Sequence, residues 1–230
     1  MLSEEKFNKL KEINKKYGYG SWTLWPKNEF GKSDPKNKDV SFFDEMEKSG
    51  ELFGKLTDKV MMLALNPSGD DNGAKPLLWG NFRGGRYDQR ILMIVNPEQN
   101  DDYKQKIDYV GCYITDLFKE KIGSSSKDAE EKIRKWEKEG ILREKVEPFA
   151  KELNAIGLDS LDKIIVFGNQ AFKWLKKIVK MEILQPEVLD KSVSIKHYSY
   201  NWKECRSDKG YRREVINLIE EETSKIFKVG

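Results

Sequence analysis

Four polar clusters, each set at the end of an apolar run, carry the side chains able to do chemistry. Asn66-Pro67-Ser68 follows Val60-Met61-Met62-Leu63-Ala64-Leu65, and Thr115-Asp116 closes the apolar part of Tyr109–Phe118. Gly168-Asn169 follows Lys163-Ile164-Ile165-Val166-Phe167, and His197-Tyr198-Ser199 follows the run from Val193. A carboxamide offers a donor and an acceptor, an ionised carboxyl only accepts, and a neutral imidazole offers one of each. Such a set can hold and polarise a ligand. Pro67 fixes its own φ and biases Asn66 towards extended backbone, so the carboxamide sits on a stiff turn. His197 is the single histidine, at a junction followed by the hydroxyl-rich Tyr-Ser-Tyr. Taken one at a time, each cluster also has a plain structural reading. Asn-Pro turns often end strands, and a lone histidine is more often structural than catalytic.

The elements that must position these groups alternate. Residues 60–65 form a short apolar run without amphipathic period, as expected of a strand buried on both faces. Further strands are expected at 109–118, 163–167 and 193–197. Helices are expected at 3–16, 41–56, 87–95, 141–156 with Pro148 kinking or dividing it, 171–180, and from about 208 onward behind Ser207 or Asp208, and 128–139 reads as a charged helix or a mobile excursion. Residues 21–39 read as an irregular loop anchored by Trp22, Trp25 and Phe30, and 69–85 as a long loop holding Trp79 and Phe82. Strands alternating with helices imply a mostly parallel sheet covered on both faces. The expected fold is α/β, a three-layer α/β/α arrangement around a central, mostly parallel four-stranded sheet. It forms one domain over 1–230, with 1–58 a helical extension. In such sheets, ligands bind outside the carboxyl ends of the strands.

Composition narrows the function classes. The chain has 230 residues, 35% charged and 38% hydrophobic, with no stretch near the roughly 18 apolar residues of a membrane span. Two cysteines are too few for a disulfide framework or a four-thiolate cluster. The acidic, polar start does not suit a secretory signal, so a cytoplasmic location is expected. A net charge of +3 is no strong nucleic-acid signature. Basic residues nonetheless cluster at 173–180, at 191–196 and at Lys203/Arg206/Lys209/Arg212/Arg213, the last beside a candidate site. Dinucleotide, P-loop and nucleophile-elbow glycine motifs are missing, and the acidic residues Asp70, Asp71 and Asp88 read as loop or cap residues rather than metal ligands.

In order along the chain, Ala64-Leu65-Asn66-Pro67-Ser68, Tyr113-Ile114-Thr115-Asp116-Leu117-Phe118-Lys119, Ile164-Ile165-Val166-Phe167-Gly168-Asn169-Gln170-Ala171 and His197-Tyr198-Ser199 resemble the motifs of the uracil-DNA glycosylase superfamily. They span residues 60 to 202. The resemblance implies a monomeric hydrolase without a cofactor. It would cleave the N-glycosidic bond of a damaged or deaminated base, uracil or a related one, flipped out of DNA. Asn66 then matches the residue that positions water. His197 matches the residue that hydrogen-bonds the base as negative charge builds on it. Ser68 and Ser199 would contact phosphates, Phe82 or less readily Trp79 would stack on the base, and Pro67, Asp116, Asn169 and Tyr198 would border the bound nucleotide.

Three departures stand out. Where several branches carry Asn at the second strand end, this chain has Asp116, whose ionised form would meet uracil O4 oxygen to oxygen. Either Asp116 is protonated, or it faces elsewhere, or the base is one bearing an amino group. His-Pro-Ser has become His-Tyr-Ser, which loses a rigid turn, and Ala64 replaces a glycine. A non-catalytic nucleic-acid or nucleotide binder on the same fold, and an unrelated doubly wound protein, are the competing readings.

Overall fold

The computed structural model describes residues 1–67, 77–95, 109–122, 125–200 and 203–226. Helix α1 (Glu4–Tyr17) starts where the Ser3 hydroxyl accepts from the Lys6 N–H. Glutamates in its first turn and lysines in its last complement the helix dipole. Strand β1 (Ser21–Trp22) follows, then α2 (Ser41–Lys48), the short α3 (Leu52–Lys55) and β2 (Thr57–Ala64). Next come α4 (Asp88–Val95), β3 (Cys112–Asp116), α5 (Ser126–Lys138) and α6 (Leu142–Ile156). The chain closes with β4 (Lys163–Phe167), α7 (Asn169–Lys180), α8 (Glu187–Asp190), β5 (Ser192–Ile195) and α9 (Asp208–Ile226). Ser125 and Asp128 form a capping box on α5. The Ser207 hydroxyl accepts from the Gly210 N–H at the start of α9. Pro148 neither divides nor ends α6. The carbonyl it leaves without a donor belongs to Glu144, an exposed residue.

The sheet has five strands, not four, in the order β1-β3-β2-β4-β5. The strand missing from the sequence reading is β1, which pairs antiparallel with β3 through Ser21 and Trp22 alone. Two residues are too few to show a period, so this segment reads as loop. The other four strands are parallel. From the central β2 the chain steps outward to β3, returns across to β4, and continues to β5. The switch point of the sheet therefore lies between the carboxyl ends of β2 and β4.

Alternate side chains of β2, β3 and β4 enter different cores, while β5 gives Val193 and Ile195 to one core and keeps Ser192 and Ser194 half-buried. Met61, Leu63, Tyr113, Ile164 and Val166 join α1, α5, α6 and α7 on one face. Met62, Ala64, Ile114, Ile165, Phe167, Val193 and Ile195 join α4 and α9 on the other. Residues 1–58 take part in this body: Phe7 and Leu10 of α1 are fully buried in the first core, and the Leu2 N–H bonds to the Leu56 carbonyl. No helix among the described residues is long and apolar enough to cross a membrane.

Gly111 admits β3 beside β2. Its φ is +74°, and a Cβ there would lie 1.7 Å from the Lys55 carbonyl oxygen. Gly111→Ala is expected to cost about 2–4 kcal/mol, since both strain and a backbone clash arise. Urea unfolding measures it directly, and a change under about 0.5 kcal/mol would show that the β2–β3 entry is loosely packed.

Candidate functional site

The register decides what the strand ends share. Ala64 lies across from Asp116, Leu63 across from Val166, and Phe167 across from Ile195. Asp116, Ala64, Phe167 and Ile195 thus form one row, and whatever follows them emerges along one rim. At about 4.8 Å per strand the row is about 14 Å long. The loop after β5 shortens the gap by folding back over β4. A Cβ on Gly168 would meet the His197 Cβ at 3.1 Å, and the Tyr198 ring stands edge-on to Phe167 at 5.2 Å.

Asn66 is half-buried at the switch point. Its Nδ2 donates to the Pro67 carbonyl at 3.0 Å, which leaves Oδ1 as the atom placed to accept. Pro67 is buried. Ser68, expected at the phosphates, lies outside the described residues. Asn169 is exposed at the first position of α7, behind Gly168 at φ +89°.

His197 is held as a neutral ring in one tautomer. The Ser199 N–H donates to Nδ1 at 3.1 Å, and the Ser199 hydroxyl lies 2.7 Å from the same atom. A backbone N–H can only donate, so Nδ1 carries the lone pair and Nε2 the proton. Burial lowers the imidazole pKa to about 4, which keeps the ring uncharged at neutral pH. Tyr198 stacks on it at 4.2 Å and meets the edge of Phe82 at 6.4 Å. Burial, with Asp116 and Asp88 nearby, raises the Tyr198 phenol and keeps it protonated.

Asp116 is 1% exposed. Burial raises its pKa to about 7; Lys119 and a hydrogen bond from Asn81 oppose the rise, and Glu152 adds to it. Beneath it lies a buried polar cluster. Glu152 accepts from the Tyr113 hydroxyl at 2.8 Å, the Thr115 hydroxyl at 2.9 Å and the Lys119 ammonium at 2.7 Å. Lys119 also bonds to the Thr115 hydroxyl, and Asn14 joins Tyr113 to the Gly20 N–H.

Two positioning residues escaped the sequence reading. Asn81 donates from Nδ2 to Asp116 Oδ2 and to the Tyr19 carbonyl, both at 2.8 Å. Arg90, buried in α4, donates to the carbonyls of Tyr198, Tyr200 and Cys205 and pairs with Asp208. This arginine braces the loop after β5. Nothing local marks either residue: Asn81 sits in an irregular loop, and Arg90 falls in an apolar helix where a charge reads as a solvated exception. Arg212, grouped by sequence with a basic patch, is likewise a buried brace, donating to the Met93 carbonyl at 2.7 Å. Arg206, Lys209 and Arg213 stay exposed. In the 173–180 cluster, Lys173 and Lys177 tie α7 to Glu130 and Glu137 of α5.

Backbone strain gathers here as well. Tyr19, Trp79 and Phe82 have φ of 66°, 63° and 58°, three of the four non-glycine residues found in the left-handed region among those described. All three lie in the two segments that meet at Asn81. Such strain persists where surrounding contacts over-determine it, and it clusters at ligand sites. Trp79 itself packs with Phe7, Trp22 and Phe43 in the first core, whereas Phe82 lies in the second core and meets the Tyr198 ring.

Comparison with protein-family models, curated proteins and solved structures finds no match.

The raised carboxyl has a thermodynamic consequence. A folded-state pKa of about 7, above the ordinary 3.8, means that the folded chain binds the extra proton. Stability then falls as pH rises from about 4 through 7. Asp116→Asn, which is always neutral, is expected to raise the melting temperature clearly more at pH 8 than at pH 5. An equal effect at both pH values would show that Asp116 is ionised throughout.

Proposed function

We propose that the chain is a DNA glycosylase of the uracil-DNA glycosylase type. It hydrolyses the N-glycosidic bond of a deaminated or otherwise damaged base turned out of DNA. The observation that carries the reading is the set of complementary groups along one rim at the switch point: an accepting carboxamide oxygen on Asn66, a donating Nε2–H on a neutral His197, and the buried carboxyl of Asp116. The resemblance of the four motifs supports it.

In this reading the extruded base lies between His197 and Asp116, with Phe82 against its face. The bond from C1′ to the base nitrogen breaks and its electron pair leaves with the base. The His197 Nε2–H donates to the base carbonyl oxygen as that charge develops, and a neutral donor strengthens its bond without transferring a proton. The Asn66 Oδ1 accepts from a water and aims its oxygen at C1′. An amide does not take the proton, which passes to solvent as the new C–O bond forms. Exposed Arg206, Lys209 and Arg213, on α9 and the turn before it, supply cations for the phosphate backbone.

A second reading has its own observation. Tyr198 packs between His197, Phe82 and Phe167, and an aromatic so placed suits a binder of single-stranded nucleic acid that cleaves nothing.

Release of base from oligonucleotides holding uracil, hypoxanthine, xanthine or an alkylated base, followed by abasic-site cleavage, separates the two. Glycosylase activity is expected on at least one of them. His197→Ala is expected to lower it about 10²–10³-fold, the usual cost of one such donor. Salt-dependent binding with no abasic product on any substrate would favour the binder. Lowering the pH from 7 to 5 should bring no loss of rate from His197, because burial lowers its pKa to about 4 and keeps the ring neutral over that range.

A further inference from the structure

We propose that the hairpin 26–34, tipped by Phe30, is a contact for single-stranded nucleic acid, set apart from the rim that holds Asn66, Asp116 and His197. The inference goes beyond the glycosylase reading and needs no cleavage at the rim.

The ring comes first. Trp22 and Trp25 anchor the 21–39 segment in the two cores, but Phe30 does not: it is 77% exposed, more than any other aromatic among the described residues. The backbone beneath it is fixed. The Asn28 side-chain oxygen accepts from the Phe30 and Lys32 N–H groups, both at 3.0 Å. The Asn28 N–H donates to the Lys32 carbonyl at 2.8 Å, and the Gly31 N–H to the Asn28 carbonyl at 2.9 Å. Below the turn, Lys27 and Ser33 form an antiparallel bridge, and the Asp34 N–H donates to the Pro26 carbonyl at 2.9 Å. A ring presented on so constrained a turn needs little ordering when it meets a flat partner.

The charges around the ring name that partner. Lys27, Lys32, Lys36 and Lys38 are exposed, and none of their ammonium groups has an ion pair among the described residues. Exposed lysines elsewhere do pair: Lys9 with Glu5, Lys15 with Glu12 and Lys173 with Glu130. Of the two acids within 26–38, Asp34 accepts from the Lys36 N–H, and Glu29 is exposed. Four cations against two anions suit a phosphate backbone. A flat ring beside unpaired cations is how sequence-tolerant binders hold a single strand: a base stacks on the ring and the cations follow the phosphates. In a duplex the base faces are already stacked on one another. A bilayer is a poorer match, because one phenyl ring offers less apolar surface than a myristoyl chain, which itself binds membranes only marginally.

The hairpin is placed so that one strand can reach both it and the rim. Its two legs are tied to the segment carrying Phe82. Trp25 Nε1 donates to the Phe82 carbonyl at 3.4 Å, and the Gly84 N–H donates to the Pro35 carbonyl at 2.8 Å. Phe82 in turn meets the Tyr198 ring after β5. Phe30 is four residues from Pro26, so the tip stands at most about 14 Å from that root.

Fluorescence anisotropy of the full-length protein with labelled oligo-thymidylate tests the proposal, with a DNA duplex and vesicles of phosphatidylcholine and phosphatidylserine as the other arms. The single strand should bind more tightly than the duplex. Phe30→Ala should weaken that binding about tenfold, the scale of one lost stack. Phe30→Leu should weaken it as much, and Phe30→Trp should keep or tighten it. Lys27→Ala combined with Lys32→Ala should flatten the salt dependence by about 1.4 in log–log slope, at about 0.7 per phosphate contact. These side chains are exposed, so the melting temperature of each variant should stay close to the native one. A native protein that does not bind the single strand, a duplex bound as tightly, or Phe30→Ala and Phe30→Leu proteins that bind as the native one does would each overturn the proposal. So would Phe30-dependent binding to vesicles alone, which would make the hairpin a membrane contact. Base release from uracil-containing DNA, measured on the same proteins, keeps the two readings apart. Release with no effect of Phe30 on binding sinks this inference alone, and Phe30-dependent binding without release from any damaged base sinks the glycosylase reading alone.

Discussion

Parallel strands held in register must end at the same edge, and here that edge cannot slip. Val60–Ala64 of β2, and all of β3 and β4, are buried on both faces, and their alternate side chains are committed to different cores. Moving β3 by one residue against β2 would exchange Tyr113 and Thr115 with Ile114 and Asp116. Carboxyl and hydroxyl would then enter an apolar layer. The placement of Asp116 level with Ala64, and of Gly168 beside His197, is thus a by-product of core packing rather than of any contact within the site. The chain order then adds the switch point, between the carboxyl ends of β2 and β4, and Asn66 follows β2 there.

On that scaffold lies a layer of buried polar groups with little slack. Glu152 has three donors, from Tyr113, Thr115 and Lys119, on its two oxygens. A buried ion pair gains little net stability over apolar packing, but breaking one partner is costly because it strands the other. The cluster therefore acts as a rigid floor more than as a source of stability. It holds the end of β3 while Asn81 holds Asp116 from the opposite side. The loop after β5 is fixed in a comparable way, by Arg90 reaching three of its carbonyls from α4. His197 and Asp116 thus owe their positions to residues on elements other than their own.

What could be read from the sequence follows from the range of the forces involved. The apolar runs at 60–65 and 163–167 announce buried strands, and the polar residues that end them mark the rim, because strand burial and strand ends are local properties. The cap residue Ser207 is legible for the same reason. Strand β1 was not, since two residues carry no period and only the β3 edge makes them a strand. Asn81, Arg90 and the Glu152 cluster were hidden because their partners lie 35, 108 and 37 positions away. Trp79 illustrates the converse: in sequence it is an aromatic in a loop like Phe82, and only packing against Phe7 and Trp22 assigns it to the core. The ambiguity over Asp116 could not be settled from residue types alone, because its proton depends on burial and on which oxygen Asn81 occupies.

The central claim is that one base, extruded from a DNA strand, sits between the carboxamide of Asn66, the carboxyl of Asp116 and the imidazole of His197. A crystal structure with a single-stranded oligonucleotide holding one 2′-fluoro-2′-deoxyuridine, whose glycosidic bond resists cleavage, tests it most directly. The account predicts the uracil ring within hydrogen-bond distance of His197 Nε2 and Asp116 Oδ1, with Phe82 against its face and Tyr198 displaced as far as that ring requires. A strand bound elsewhere, or bound along the rim with its uracil outside and Tyr198 still packed on Phe82 and Phe167, would contradict it.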